Sequence, residues 1–297
     1  MSTKRSEVGV VDLAGAGGNL RPRVRIRPDE LVIYIILAVL ALISLYPVFV
    51  MFASSFKTQL DIFMHPFALP SKLSLANYLT AWSQAQIGTY FINSATISAS
   101  TVALIVFIAS MAAYVFARFE FPGKQFLFLL LLAGLVLPGR LALVPQFILV
   151  RNLGLLDHRT ALVLIYTAGA MPFSIFILTN YLRTIPHEIE ESAVIDGASV
   201  WIRYSRIMLP LSRPGLATIA VFNLVGVWND FFLPLIILRT PAKMTIPVGL
   251  TVFFGEYTVQ WNLLFAALAL ASLPMIILFL LMTRQFIRGL TAGALKA

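Results

Sequence analysis

The sequence predicts an all-α membrane protein with six transmembrane helices and a charged insert between the fourth and the fifth. Three observations carry that expectation. Six apolar runs follow one another, at about 31–53, 91–117, 126–150, 161–182, 214–238 and 261–283, each near or above the roughly 20 residues that a bilayer requires. The 297 residues are 59% hydrophobic and 12% charged, with a mean hydropathy of +0.89, outside the range of soluble domains. Lysine and arginine divide unequally between the two sides: with the N-terminus inside, fifteen fall on the inner side and six on the outer, with Arg140 inside a run. Both termini are therefore expected in the cytoplasm, and the net charge of +9 follows from topology, not from an anionic substrate or nucleic acid.

Residues 1–30 read as a flexible polar tail with a basic cluster at Arg21, Arg23, Arg25 and Arg27. Its place directly before the first run makes it an orientation signal, and the run is too long and too late for a cleaved signal peptide. The outer segment 54–90 carries Tyr78 and Trp82, which suit a small interfacial helix. The second run opens with Asn93, Ser94, Ala95, Thr96, Ser98, Ala99 and Ser100; small and hydroxylated side chains favour close helix packing over a polar pore lining. Pro47, Pro138, Pro145, Pro172, Pro234 and Pro274 fall in the runs, so kinks are expected wherever neighbours or water can satisfy the freed carbonyls.

Two ionisable groups lie within the runs, and neither should face lipid. Arg140 follows Pro138-Gly139, where a helix is expected to break and the guanidinium to reach loosened carbonyls or a water-filled cavity. Asp230 belongs to Trp228-Asn229-Asp230, a set of indole, amide and carboxylate of the kind that binds sugars. Two readings stand: a lining of the translocation path or gate, and a structural network within the bundle.

The insert, residues 184–210, reads as two short amphipathic helices. Thr184 offers a hydroxyl cap, Pro186 suits the first turn, and Glu188, Glu190 and Glu191 sit where the helix dipole favours negative charge. Ile185, Ile189 and Ala193 form a narrow apolar stripe. Gly197 is placed to end the first helix in a left-handed conformation, Ser199 to cap the second, and Leu209-Pro210 to stop it. No cysteine is present, His65, His158 and His187 show no metal-ligand spacing, and no dyad for an intramembrane enzyme is apparent. A secondary sugar transporter would have internal repeats and no such insert.

The spacing Glu191-Ser192-Ala193, Gly197 and Ile207-Met208-Leu209-Pro210 resembles the coupling loop of bacterial ATP-binding-cassette (ABC) importers, with Ser192 departing from the alanine usual there. The ending RQFIRGLTAGALKA is similar to the tail of maltose-type sugar permeases. Together with the runs and the Trp-Asn-Asp cluster, the resemblance covers about residues 25–297 and points to the smaller membrane subunit of a carbohydrate ABC importer. It implies that Ile189, Glu191, Ser192, Ala193, Asp196, Gly197, Ile207, Leu209 and Pro210 couple to an ATPase. It implies contact with a solute-binding protein around Val248, Gly249, Gly255, Glu256 and Tyr257, the alternative being a lid over the helix ends. No G-x-x-x-x-G-K-[ST] loop occurs, so no cofactor is expected on this chain, and ATP with magnesium belongs to the partner ATPase. The implied partners are a second permease, two ATPase subunits, an extracytoplasmic binding protein and membrane lipid, in the cytoplasmic membrane of a bacterium. The implied cargo is a di- or oligosaccharide, with a polyol or glycerol-phosphate compound as the alternative. The expected division is a tail to residue 30, a permease domain over 31–283 and a cytoplasmic tail over 284–297.

Overall fold

In the computed structural model the described residues are 28–83, 86–136, 139–255 and 258–294, and side-chain surroundings are described between 31 and 281. Residues 1–48 and 49–297 form two units. Most of helix α1 (Pro28–Ser55) belongs to the first. It begins on a proline, whose missing N–H is no loss in a first turn, and within Leu31–Ser55 its most apolar stretch of 18 residues has a mean hydropathy of 2.7.

The second unit holds α2 (Gln59–Met64), α3 (Ala76–Ser83), α4 (Ile87–Arg118), α5 (Lys124–Ala133), α6 (Leu143–Asn152), α7 (Arg159–Arg183), α8 (Glu188–Ile195), α9 (Val200–Leu211), α10 (Arg213–Asn229), α11 (Phe232–Ile237), α12 (Ile246–Gly249) and α13 (Trp261–Ala294). Helices α4 and α7 are its spine and run side by side in the same direction. Near their starts Arg159 donates to the Asn93 side-chain oxygen. At their ends Arg118 Nη2 donates to the carbonyl of Ile185 across 2.8 Å. Ser94, Ser98, Thr101, Ala109 and Ala113 lie on the buried face of α4, where short side chains let the backbones approach. Of the hydroxylated stretch, Asn93, Ser94 and Ser98 are thus buried in this packing, whereas Thr96 and Ser100 are exposed.

Four helices among the described residues, α1, α4, α7 and α13, are long and apolar enough to cross a membrane, and a fifth counts if α9 and α10, bent by 72°, form one span. The six apolar runs are thus not six continuous helices. The run 126–150 is divided into α5 and α6 around a 3-10 turn at Gly139–Ala142. The run 214–238 stops at Asn229, and Asp230 takes an extended backbone (φ −72°, ψ 130°) before α11. Pro234 explains that break: its ring crowds the carbonyl four residues earlier, that of Asp230, and offers it no N–H. Helix α13 runs on from the last apolar run through Ala294.

Three apolar clusters fill the unit. At the far end from the insert, Tyr90, Trp228, Ile246, Phe253 and Leu264 pack together. Ile97, Val150, Leu162, Leu233 and Ile237 form the middle. Next to the insert, Ala109, Tyr114, Leu178, Leu182, Tyr204 and Met208 close the bundle.

Candidate functional site

The insert folds as two helices joined by a left-handed glycine. Gly197 sits at φ +78°. The Gly197 N–H donates to the Val194 carbonyl at 3.0 Å and the Ala198 N–H to the Ala193 carbonyl at 2.9 Å, a Schellman ending that a residue with a β-carbon reaches only under strain. Ser199 then caps α9, its Oγ accepting from the Ile202 N–H at 3.4 Å.

Two expectations for the insert need correction. The Thr184 hydroxyl does not cap α8; it donates back to the Tyr181 carbonyl at 2.7 Å and finishes α7, while α8 begins only at Glu188. Nor do Leu209 and Pro210 stop the second helix. Leu209 stays right-handed (φ −63°, ψ −46°) and Pro210 lies inside α9. The preceding Arg203–Met208 segment is π-helical, and its wider turn gives the proline ring room. The chain bends instead at Ser212, between α9 and α10.

The expected stripe holds at Ile185 and Ala193 but not at Ile189 on helix α8, whose inward place Glu190 takes. Glu190 and Ala193 are buried, whereas Ile189 is 39% exposed and Glu191, Ser192 and Asp196 face outward. The cause lies on α4. Arg118 Nε stands 2.7 Å from Glu190 Oε2, both side chains being under a tenth exposed. The Tyr114 hydroxyl donates to Glu190 Oε1 at 2.6 Å. Removing one partner of such a pair strands a buried charge, at a cost of about 3–5 kcal/mol. Outside this anchor, Val194, Ile195, Val200 and Trp201 are exposed beside Glu191 and leave an apolar surface uncovered within this chain. Ile207 and Leu209 are half-buried against the bundle, and Pro210 is exposed.

A cavity of 610 Å³ opens in the middle of the unit, lined among others by Arg140, Gln146, Tyr166, Asn223, Asn229 and Asp230. Arg140 comes from the 3-10 turn that divides the third run, and its guanidinium lies over the Phe232 ring, 5.1 Å from the centroid. Asp230 sits at the break between α10 and α11, and the Tyr166 hydroxyl donates to its Oδ2 at 2.6 Å. Three of the four expected pathway residues, Arg140, Asn229 and Asp230, thus meet at one cavity. Trp228 does not: it is 6% exposed, its Nε1 donates to the Ala271 carbonyl at 3.1 Å, and its ring packs edge-on against Phe91. It ties α10 to α13, because an indole N–H buried among helices needs an acceptor.

At the far end, residues 239–260 fold back on the bundle. Ser94 Oγ accepts from the Ile246 N–H, and the Asn93 amide donates to the carbonyls of Ala242 and Met244. Asp157 gathers the backbone N–H groups of Arg239 and Thr240, the Thr240 hydroxyl and, at 2.8 Å, Lys243 Nζ. Those bonds, the one from Lys243 foremost, hold the Asp157 carboxyl below the usual carboxylate range. Val248 is 1% exposed, Gly249 is buried, and a β-carbon on Gly249 would overlap the Tyr90 ring. Both therefore pack within this chain. Gly255 is exposed next to the bridge between Phe254 and Val259; Glu256 and Tyr257 lie outside the described residues.

Sequence reasoning missed Glu190 as an anchor, and also Tyr166 and Asp157. For Glu190 a signal existed: it is three residues before Ala193, hence on the same helix face.

Residues 105–292 match the family of binding-protein-dependent transport system inner membrane components. The chain is 37% identical over 258 residues to the diacetylchitobiose uptake system permease protein NgcG of Streptomyces coelicolor, covering 86% of this chain and 85% of that one. It is 32% identical over 266 residues to the melibiose/raffinose/stachyose import permease protein MelC of Bacillus subtilis, covering 89% and 96%. The fold resembles a chain in the crystal structure of a bacterial ABC transporter involved in alginate import, with a TM-score of 0.78, 22% identity, and coverage of 86% of this chain and 95% of the other.

Proposed function

This chain belongs to the family of binding-protein-dependent transport system inner membrane components, and from that premise we infer that it is the permease subunit of an ABC importer for sugars of the di- or oligosaccharide class. The observation that carries the sugar class is the match along nearly the whole of both chains to permeases named for diacetylchitobiose and for melibiose, raffinose and stachyose. The cavity is compatible with such cargo. It offers an amide, a carboxylate and a guanidinium for hydroxyl groups, and Phe222 and Phe232 as apolar wall, the mixture that suits a neutral polyhydroxylated ring.

In this reading the broken runs 124–152 and 213–237 each make one crossing beside α1, α4, α7 and α13. Six crossings place both termini and the insert in the cytoplasm, with the chain in the cytoplasmic membrane of a bacterium. A second permease completes the pathway. Two ATPase subunits carry ATP and magnesium, and each receives an insert. The exposed Glu191 and the apolar surface of Val194, Ile195 and Trp201 give this chain's insert its docking face. A binding protein delivers sugar at the opposite end, where Val252, Phe254 and Gly255 are exposed. ATP-driven closure of the ATPases moves α8 and α9, and the bundle alternates between two states biased from both ends.

The test is co-expression with the partner chains, purification of the complex, and uptake of labelled oligosaccharides into vesicles. Uptake that requires both ATP and the binding protein is expected. Uptake without either would return the chain to the class of secondary transporters, and a preference for a polyol or glycerol phosphate would replace the sugar.

A further inference from the structure

We propose that the buried bridge between Arg118 and Glu190 clamps α8 to the end of α4, so that α4 acts as the rod that carries motion from the insert to the opposite end of the bundle. The proposal rests on the reading of the chain as an importer permease, in which the insert receives the movement of an ATPase.

The clamp has one ion pair and two hydrogen bonds from two successive turns of α4. Arg118, its last residue, places Nε 2.7 Å from Glu190 Oε2 and donates from Nη2 to the Ile185 carbonyl at 2.8 Å. Tyr114, one turn earlier, donates to Glu190 Oε1 at 2.6 Å. The Ser110 and Tyr204 hydroxyls, 2.8 Å apart, add a link to α9. A charge pair shielded from water attracts more strongly than one in solvent, and the register role is the best-attested use of a buried ion pair. The other connections of the insert are compliant by comparison. Gly197 turns through a left-handed conformation, and α9 meets α10 at a 72° bend.

The rod itself is unusual in this chain. Of the four long helices, α1, α7 and α13 contain Pro47, Pro172 and Pro274, and only the 32-residue α4 has no internal proline. No proline removes an interior hydrogen bond from it, and proline is the commonest cause of a sharp kink. At its other end Asn93 and Ser94 hold the backbone of residues 242–246, and Tyr90 fills the space over Gly249. Both ends of one proline-free helix are thus fastened by polar bonds to the two segments that the importer reading places against partners.

The experiment uses the reconstituted complex and reads sugar carried per ATP hydrolysed. Arg118→Met with Glu190→Met removes both charges and leaves no stranded ion. A structural glue would lower assembly and both activities together and leave the ratio intact. The clamp predicts an assembled, ATP-hydrolysing complex whose ratio falls about fivefold or more; an unchanged ratio would overturn it. A second arm exploits the absence of native cysteine: Tyr114→Cys with Glu190→Cys is joined by a short bis-thiol reagent. Transport restored by the join supports one moving body, and transport abolished by it shows that the two helices must separate. Absence of ATP-driven sugar uptake by the unaltered complex would count against the importer reading instead.

Discussion

Tyr166 and Asp230, 64 residues apart in the chain, share a hydrogen bond of 2.6 Å in which the phenol donates to Oδ2. The bond holds the carboxylate at the wall of the central cavity, at the point where α10 gives way to α11. An ionised carboxylate has about four acceptor positions, and the phenol fills one of them.

The first prediction follows from that geometry. A hydrogen bond to a charged group contributes about 1.5–3 kcal/mol, which corresponds to roughly tenfold to a hundredfold in affinity. Asp230→Ala is therefore expected to lower sugar uptake by at least about tenfold, with the complex assembled and its ATPase measurable. Tyr166→Phe should lower it less, since the carboxylate stays but loses its orientation. Normal uptake in Asp230→Ala would remove the residue from the pathway, and loss of assembly would favour the structural network.

How much of this was legible beforehand depended on the distance over which each cause acts. Gly197 and Ser199 were readable because a left-handed ending and a hydroxyl cap are set within four or five residues. Asp230 stood out through the cost of a charge among apolar neighbours, but its partner Tyr166 comes from another helix and left no local trace. The same holds for α8: the stripe through Ile189 obeys helical spacing, yet Arg118, 72 positions before Glu190, pairs with Glu190, which faces inward in place of Ile189. Pro210 misled because the rule for the residue before proline assumes an α-helical turn, and the segment before it is π-helical. The third and fifth runs show the converse: apolarity marks them as continuous stretches, while the structure divides the third at the 3-10 turn Gly139–Ala142 and the fifth at Asp230, four residues before Pro234.

The second prediction concerns Asp157. Its carboxyl is held below the ordinary range by Lys243 first, then by Thr240 and the backbone of Arg239, so the native state favours the ionised form. A depressed native pKa contributes stability that is complete above the unfolded value near 3.9 and fades as pH falls below it toward the native value. Thermal unfolding of the purified complex should thus show this group's full contribution, with no pH dependence from it, between pH 7 and about pH 5, and a decline only below about pH 4. Asp157→Asn should lower the melting temperature at neutral pH and reduce that acid decline. A variant that melts as the parent does at pH 7 would mean that the bonds to residues 239–243 add nothing to stability.

The third prediction returns to Gly197, where backbone and space can be separated. A β-carbon placed there meets no atom within 4 Å, so crowding inside this chain is not the obstacle. The obstacle is φ +78°, which costs an ordinary L-residue about 1–2 kcal/mol and costs asparagine less. The series Gly197→Asn, Gly197→Asp and Gly197→Val should therefore lose coupled transport in that order. Asparagine should keep most of it, aspartate should add a charge at the surface that meets the ATPase, and valine, β-branched, should force α9 out of line. Each variant should remain in the membrane, which is checked by its abundance and by retention of the partner chains, while uptake and sugar-stimulated ATP hydrolysis are read in vesicles. Equal losses for asparagine and valine would show that the partner surface, and not the left-handed turn, is what Gly197 protects; wild-type coupling in all three would mean that the 184–210 segment is only a connection between spans.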